Sequence, residues 1–260
     1  MTPLLTFLLA AAAPGIGVSD TGQVTRPRET DTTVWTASLE YGFQAFTHVD
    51  AAWQTWTARF ERRTAAGAIA LEAGDATRFA LWDQSLALDA YPKLWRRAYG
   101  NLRIGVAPGA RVLPRSDVLA ELYQGVGGGW EISGSYRRMS YPGQSVNLWG
   151  ASIAKYLAHW YVVARATAVP QAGKLGGGAW LTVRRYLATT DDYLEVSGGG
   201  GSEVVTLAAD SVTVNTSQFL AARLVQYLTV RVALTAGATW NTQQGLPARR
   251  GLSLGLAYRW

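Results

Sequence analysis

Arg250-Gly251-Leu252-Ser253-Leu254-Gly255-Leu256-Ala257-Tyr258-Arg259-Trp260 closes the chain, and its reading decides the fold. Leu252, Leu254, Leu256, Tyr258 and Trp260 share one parity, while Ser253, Gly255, Ala257 and Arg259 share the other. Successive side chains of a strand point to opposite faces, so a period of two with one unbroken apolar face describes a strand between two unlike surroundings. The long apolar face suits lipid outside, and the small or charged face suits a wet lumen inside. A half-buried strand of a soluble sheet alternates in the same way, so the choice rests on whether the rest of the chain repeats the pattern.

It does, from Val34 onward. In Val34–Phe46, Trp35, Ala37, Leu39, Tyr41, Phe43 and Ala45 oppose Thr36, Ser38, Glu40, Gly42 and Gln44. Similar segments follow at Trp53–Arg63, Gly67–Phe79, Gln84–Tyr91, Arg96–Val106, Asp117–Gln124, Gly128–Met139 and Ser145–Tyr156. They continue at His159–Ala168, Gly177–Leu187, Asp192–Gly200, Thr216–Gln226, Leu228–Trp240 and Arg249–Trp260, fourteen in all. Ten or so residues rising about 3.3 Å each and tilted about 40° cover roughly 25 Å, the height of a barrel's lipid-facing band. The connections alternate between tight ones and longer ones such as Ala107–Ser116, Val169–Gly176 and Gly201–Asn215. Short turns at one end and longer loops at the other predict an all-β, antiparallel up-and-down transmembrane barrel of about 14 strands. Hydrocarbon tolerates no open sheet edge, so the first and last segments are expected to pair.

Composition agrees. The 260 residues are 16% charged and include 11 Trp and 12 Tyr, where soluble domains carry roughly 25% charge. The absence of Cys excludes disulfides and thiolate metal sites. A net charge of +6, nearly all Arg and scattered along the chain, excludes the concentrated basic patch of a nucleic-acid reader. Leu4–Ala13 is a short apolar core, too short to span a bilayer but suited to a secretory signal. Residues 1–20 are therefore read as a signal peptide cleaved between Ala11 and Val18, 21–33 as a periplasmic lead-in, and 34–260 as the barrel.

Parity sends Glu40, Glu72, Asp89, Glu121, Glu131 and Glu195 into the lumen, with Arg59, Arg97, Arg103, Arg137, Arg165, Arg184, Arg223, Arg231 and Arg259. Arg and carboxylate form bidentate, charge-assisted pairs, so these groups are expected to brace the wall, with Glu121 and Glu131 each paired to Arg137 or Arg103. The excess of Arg over acids also predicts a pore that favours anionic solutes or acidic glycans. Trp35, Trp130, Tyr136, Trp160, Trp180, Trp240, Tyr258 and Trp260 stand near segment ends and are read as outward girdles at the two water boundaries. The runs Gly127–Gly129, Gly176–Gly178 and Gly198–Gly201 lack the Gly-Lys-Ser/Thr of a phosphate loop and read as turns or strand bends.

Catalysis has few candidates. Only His48 and His159 are present, and Ser85 and Ser135 have no His near them in strand order, which leaves no nucleophile–base pair. Beside a carboxylate pair such as Glu121 and Glu131, His48 with Asp50 in the first long loop is the acid/base or metal alternative, for an enzyme acting on lipid or glycan. No cofactor or metal is otherwise expected.

Several short motifs resemble one known family: Leu86–Tyr91 with Asp89, Leu113-Pro114, Glu121-Leu122, Gly129-Trp130-Glu131, Tyr136-Arg137, Arg184-Arg185-Tyr186 and the aromatic last strand. In order and spacing they resemble the YaiO-like outer-membrane β-barrels over Val34–Trp260. The resemblance implies the outer membrane of a Gram-negative bacterium, contact with its lipid, and insertion by the barrel assembly machinery, which would read Gly255, Tyr258 and Trp260. It carries no catalytic signature, and some relatives are linked to surface-polysaccharide export. The expectation is thus a monomeric, non-enzymatic barrel, either a narrow channel or a polysaccharide-export accessory.

Overall fold

The computed structural model describes residues 33–260 apart from 49, 51, 79, 172, 209 and 210. The expected signal peptide and nearly all of the lead-in fall outside these residues. The strands are β1 (Val34–Phe46), β2 (Ala52–Thr64), β3 (Gly67–Arg78), β4 (Leu81–Pro92), β5 (Ala98–Val106), β6 (Ser116–Gly127) and β7 (Trp130–Tyr141). They continue as β8 (Gln144–Leu157), β9 (Trp160–Gln171), β10 (Lys174–Tyr186), β11 (Tyr193–Ala208), β12 (Ser211–Tyr227), β13 (Val232–Gln243) and β14 (Leu246–Arg259). Each pairs antiparallel with its chain neighbours, and β1 pairs with β14 to close the barrel. The Trp35 amide donates to the Trp260 carbonyl at 3.1 Å and the Trp260 amide to the Trp35 carbonyl at 3.0 Å, so the seam is bonded to its last residue and leaves no edge for lipid to meet.

Burial is inverted relative to a soluble protein. Leu252, Leu254 and Leu256 are 68%, 63% and 55% exposed, whereas Asp89 and Glu131 are each 3% exposed. In water such a surface would be a continuous aggregation patch; against acyl chains it is the low-energy face. No helix among the described residues is long and apolar enough to cross a membrane, and the strands do so instead.

Two rims follow from the topology: the terminal rim, where Val34 and Trp260 lie, and the far rim, which carries the β1–β2 connection. The expected contrast in loop length is largely absent. Of the far-rim connections described throughout, those at 142–143 and 244–245 are two residues and 107–115 is long. The predicted loop Gly201–Asn215 is instead paired strand apart from 209–210, in register from Gly201↔Ser217 to Thr206↔Val212 and shifted by a residue at Ala208↔Ser211. Polar sequence beyond the hydrocarbon band still has backbone groups to satisfy, and a hairpin satisfies them without a water-exposed loop. Tight closure needs a left-handed residue, supplied by Gly143 (φ 83°) and Gly245 (φ 77°).

Candidate functional site

The lumen is the candidate site, and its wall is built from the inner parity of every strand. On β2–β7 that parity carries ions in a continuous relay. Arg59 reaches Asp89 at 2.9 Å, Glu61 at 3.1 Å and Glu72 at 3.6 Å. Arg103 reaches Glu72 at 2.7 Å, Asp89 at 3.0 Å and Asp117 at 3.4 Å. Arg137 grips Asp117 through Nε and Nη2 at 2.7 and 2.6 Å, and Arg63 ends the relay on Glu61 at 3.1 Å. Four guanidinium groups and four carboxylates alternate, so no charge in the relay lacks an opposite neighbour. Arg59 and Glu72 face each other in register, as do Asp89 and Arg103, and strand pairing alone brings those groups together.

Glu121 and Glu131 correct the expected partners. Glu121 is held by Arg165 at 2.8 Å and by the Ser133 hydroxyl at 2.7 Å, and Glu131 accepts from the Tyr99 hydroxyl at 3.2 Å. Arg103 and Arg137 both stand opposite Leu119 in register, so each leans toward Asp117 and away from Glu121. Arg97 and Arg231 stand outside the strands. Arg97 lies in the turn before β5 with φ 63°, where its Cβ would be 3.2 Å from one built on inner-parity Gly125, and Arg231 is exposed in the turn before β13. In both places the strand starts later than the alternation suggested.

The remaining predicted ions pair individually. Arg184 meets Glu195 at 2.7 Å, and Arg259 meets Asp191 at 2.6 Å at the terminal rim. Arg223 of β12 reaches Glu40 of β1 at 2.8 Å, although β13 and β14 lie between. Gly237 stands opposite Arg223, and Gly255 opposite Glu40. Without side chains there, the arginine can lie flat across two strands. A Cβ built on Gly255 would meet Glu40 Cβ at 3.2 Å.

Charges missed by the sequence reading include Glu61, Asp83 and Asp117, all buried and all on inner parity. Asp83 anchors the long 107–115 connection by accepting from the amides of Arg111 (3.0 Å), Val112 (2.7 Å) and Leu113 (2.8 Å). Arg115 Nε points back to the Ala110 carbonyl at 3.5 Å. The far mouth therefore gathers Arg111 and Arg115 with inner-parity Arg78 and Arg249, which flank Trp53 at 4.6 and 4.1 Å from its ring.

A second missed feature is a lumenal tyrosine belt near the terminal rim. Tyr91, Tyr99, Tyr123, Tyr156, Tyr161, Tyr186, Tyr193 and Tyr227 all occupy inner parity. Tyr99 stacks on Tyr123 at 4.4 Å, and Tyr156 meets Tyr161 at 4.6 Å. Arg184 lies over Tyr193 at 4.2 Å and Arg259 over Tyr227 at 4.1 Å. Parity was the signal that could have found them. Trp180 joins the inner register, opposite Arg165 and Gly199, and so departs from the expected outward girdle. A Cβ on Gly199 would sit 2.3 Å from the Ala179 carbonyl oxygen, so the strands approach too closely there for any other residue. The glycine run is thus a sheet bend.

His48 and Asp50 are both exposed on the β1–β2 connection. Among the described residues no group of three or more His, Asp or Glu is placed to hold a metal ion.

A family model, the YaiO membrane beta barrel domain, matches residues 35–204. The chain belongs to that family. The match ends within β11, while the YaiO-family barrel continues unbroken through β14. No curated protein matches significantly. Among solved structures, Acinetobacter baumannii outer membrane protein Omp33 is 11% identical with a TM-score of 0.51, over 87% of this chain and 97% of that one. Pseudomonas aeruginosa OpdQ is 8% identical with a TM-score of 0.51, over 88% and 98% of the two chains. A bacterial polysaccharide outer membrane secretin is 7% identical with a TM-score of 0.50, over 88% and 99%. At such identities these similarities are of fold alone.

Proposed function

We propose that this protein is a non-enzymatic channel of the Gram-negative outer membrane that favours small anionic solutes. The observation that carries the reading is the unequal lining of the lumen. The ion relay and most of the tyrosines load β2–β11, whereas the inner face of β13, β14 and β1 is mainly small: Ala233, Thr235, Gly237, Thr239, Gly251, Ser253, Gly255, Ala257 and Gly42. Short side chains on one wall support a passage along it, with Arg223 and Glu40 as the ion pair beside the path. At the far mouth Arg78 and Arg111 stand near Asp83, whose carboxylate also accepts from three backbone amides, while Arg249 lies over Trp53 beside Arg78 and Arg115 reaches the Ala110 carbonyl. A cationic mouth in a low-dielectric wall concentrates anions.

Delivery by the barrel assembly machinery, reading Gly255, Tyr258 and Trp260, and a monomeric state in outer-membrane lipid belong to the same proposal. The test is conductance of the refolded protein in a planar bilayer under a salt gradient. Anion-selective current is expected, with selectivity reduced in the Arg111→Gln/Arg249→Gln variant. Silence overturns the channel and favours an accessory role in surface-polysaccharide export. A lipid- or glycan-directed activity lost in His48→Ala would replace both.

A further inference from the structure

At the terminal rim the outward face carries three cation–indole pairs. The Arg62 guanidinium lies 5.3 Å from the Trp35 ring, Lys155 Nζ 4.6 Å from Trp130, and the Arg185 guanidinium 5.5 Å from Trp160. All six residues stand within three positions of the strand ends on β1–β2, β7–β8 and β9–β10. An indole at this depth marks the boundary between hydrocarbon and headgroups. None of the three cations forms an ion pair with a carboxylate among the described residues. Described strand carboxylates otherwise face the lumen; the outward one, Asp75, is on β3 toward the far rim, bonded to the Trp82 indole N–H. At the terminal rim Asp191 is taken by Arg259 and Asp192 by the Tyr227 amide, so the three outward cations keep no carboxylate partner among the described residues.

Two of the pairs are neighbours. Lys155 stands opposite Val162 and Arg185 opposite Trp160, so their backbone positions lie two strand spacings and two residues apart across β9, about 12 Å, a gap that the two long side chains narrow. Beside them is a surface hollow of about 390 Å³ lined by His159, Trp160, Arg185, Tyr186 and Leu187. Lys155 spends one N–H on the Gly128 carbonyl at 2.5 Å, which leaves two of its three donors. We infer that this rim is a binding site for an anionic phospholipid: the headgroup phosphate lies between Lys155 and Arg185, the headgroup enters the hollow, and the acyl chains run along exposed Ile153, Ala164 and Leu181 toward the membrane centre. A lipid is favoured over a free anion because the cations border an apolar wall that only a chain-bearing ligand covers.

The test uses the refolded protein in phosphatidylcholine vesicles doped with spin-labelled phosphatidylglycerol or spin-labelled phosphatidylcholine, and reads the motionally restricted fraction of each. Selection of phosphatidylglycerol is expected on the order of three- to tenfold, because the choline ammonium offsets the phosphate charge in phosphatidylcholine and repels the two partly screened cations, while phosphatidylglycerol keeps a net negative headgroup. Lys155→Gln/Arg185→Gln should bring it near unity, while the far-rim variant Arg138→Gln/Arg250→Gln keeps it. Heat-modifiable gel migration identifies variants that retain a closed barrel. Equal loss in both variants would mean general charge attraction, retention in Lys155→Gln/Arg185→Gln would place any site elsewhere, and displacement by inorganic phosphate would mean a free-anion site; each overturns the inference.

Discussion

Replacing Arg103 with Gln tests whether the lumenal relay holds the barrel together. Its guanidinium serves three carboxylates, Glu72, Asp89 and Asp117, of which the last two have side chains only 4% and 9% exposed. Removing one member of a fully buried pair costs about 3–5 kcal/mol, and an exposed pair is worth about 0–1 kcal/mol. Arg103 is 23% exposed, and Arg59 and Arg137 still serve the abandoned carboxylates, so the expected loss is about 2–3 kcal/mol. Lys at the same position keeps the charge but loses the fork and should cost about 1 kcal/mol. The assay is reversible denaturant unfolding in lipid vesicles, followed by tryptophan fluorescence, with stability extrapolated to water. Asp89→Asn and the double variant complete a cycle, in which the double variant should cost less than the sum by about 1 kcal/mol or more. An Arg103→Gln loss under about 0.5 kcal/mol, or simple additivity, would refute the claim that the relay acts as a unit.

Three further outcomes follow from other parts of the molecule. Deleting Trp260 removes both reciprocal backbone bonds to Trp35 at the seam and should lower the yield of heat-modifiable barrel in vesicles and in cells; unchanged yield would separate closure from the last residue. Gly199→Val forces a Cβ against the Ala179 carbonyl and should cost roughly 1–3 kcal/mol or more, read by the same unfolding assay beside Gly134→Val, which meets nothing within 4 Å at an exposed position of β7. Asp83→Ala removes the acceptor for three loop amides, so trypsin should cut after Arg111 or Arg115 faster in the variant; equal rates would mean the carboxylate does not hold the loop.

Strand alternation made the barrel legible before any coordinates. The expected range of β1 coincides with the observed Val34–Phe46, and fourteen strands close as anticipated. Parity depends only on the strand's two-residue repeat, a property of each residue's place in its own segment. On that parity Glu40, Arg59, Glu72, Asp89 and Glu195 each meet an opposite charge, and the same parity reaches Asp117 and the tyrosines. The start of the strand was not legible at Arg97 and Arg231, where a turn precedes it. Far-rim loop lengths were not legible, because polar sequence above the membrane can pair as readily as it can loop.

Sequence by itself thus determined the two-faced alternation of the strands, with Trp180 an exception, and that the sheet must close on itself. Who meets whom inside was decided only by the tertiary structure. Arg223 finds Glu40 across two intervening strands because Gly237 and Gly255 leave the wall bare, and Asp117 draws Arg103 and Arg137 because both stand beside Leu119. Such encounters depend on register, tilt and the space left by neighbours on other strands, which no residue's own segment encodes.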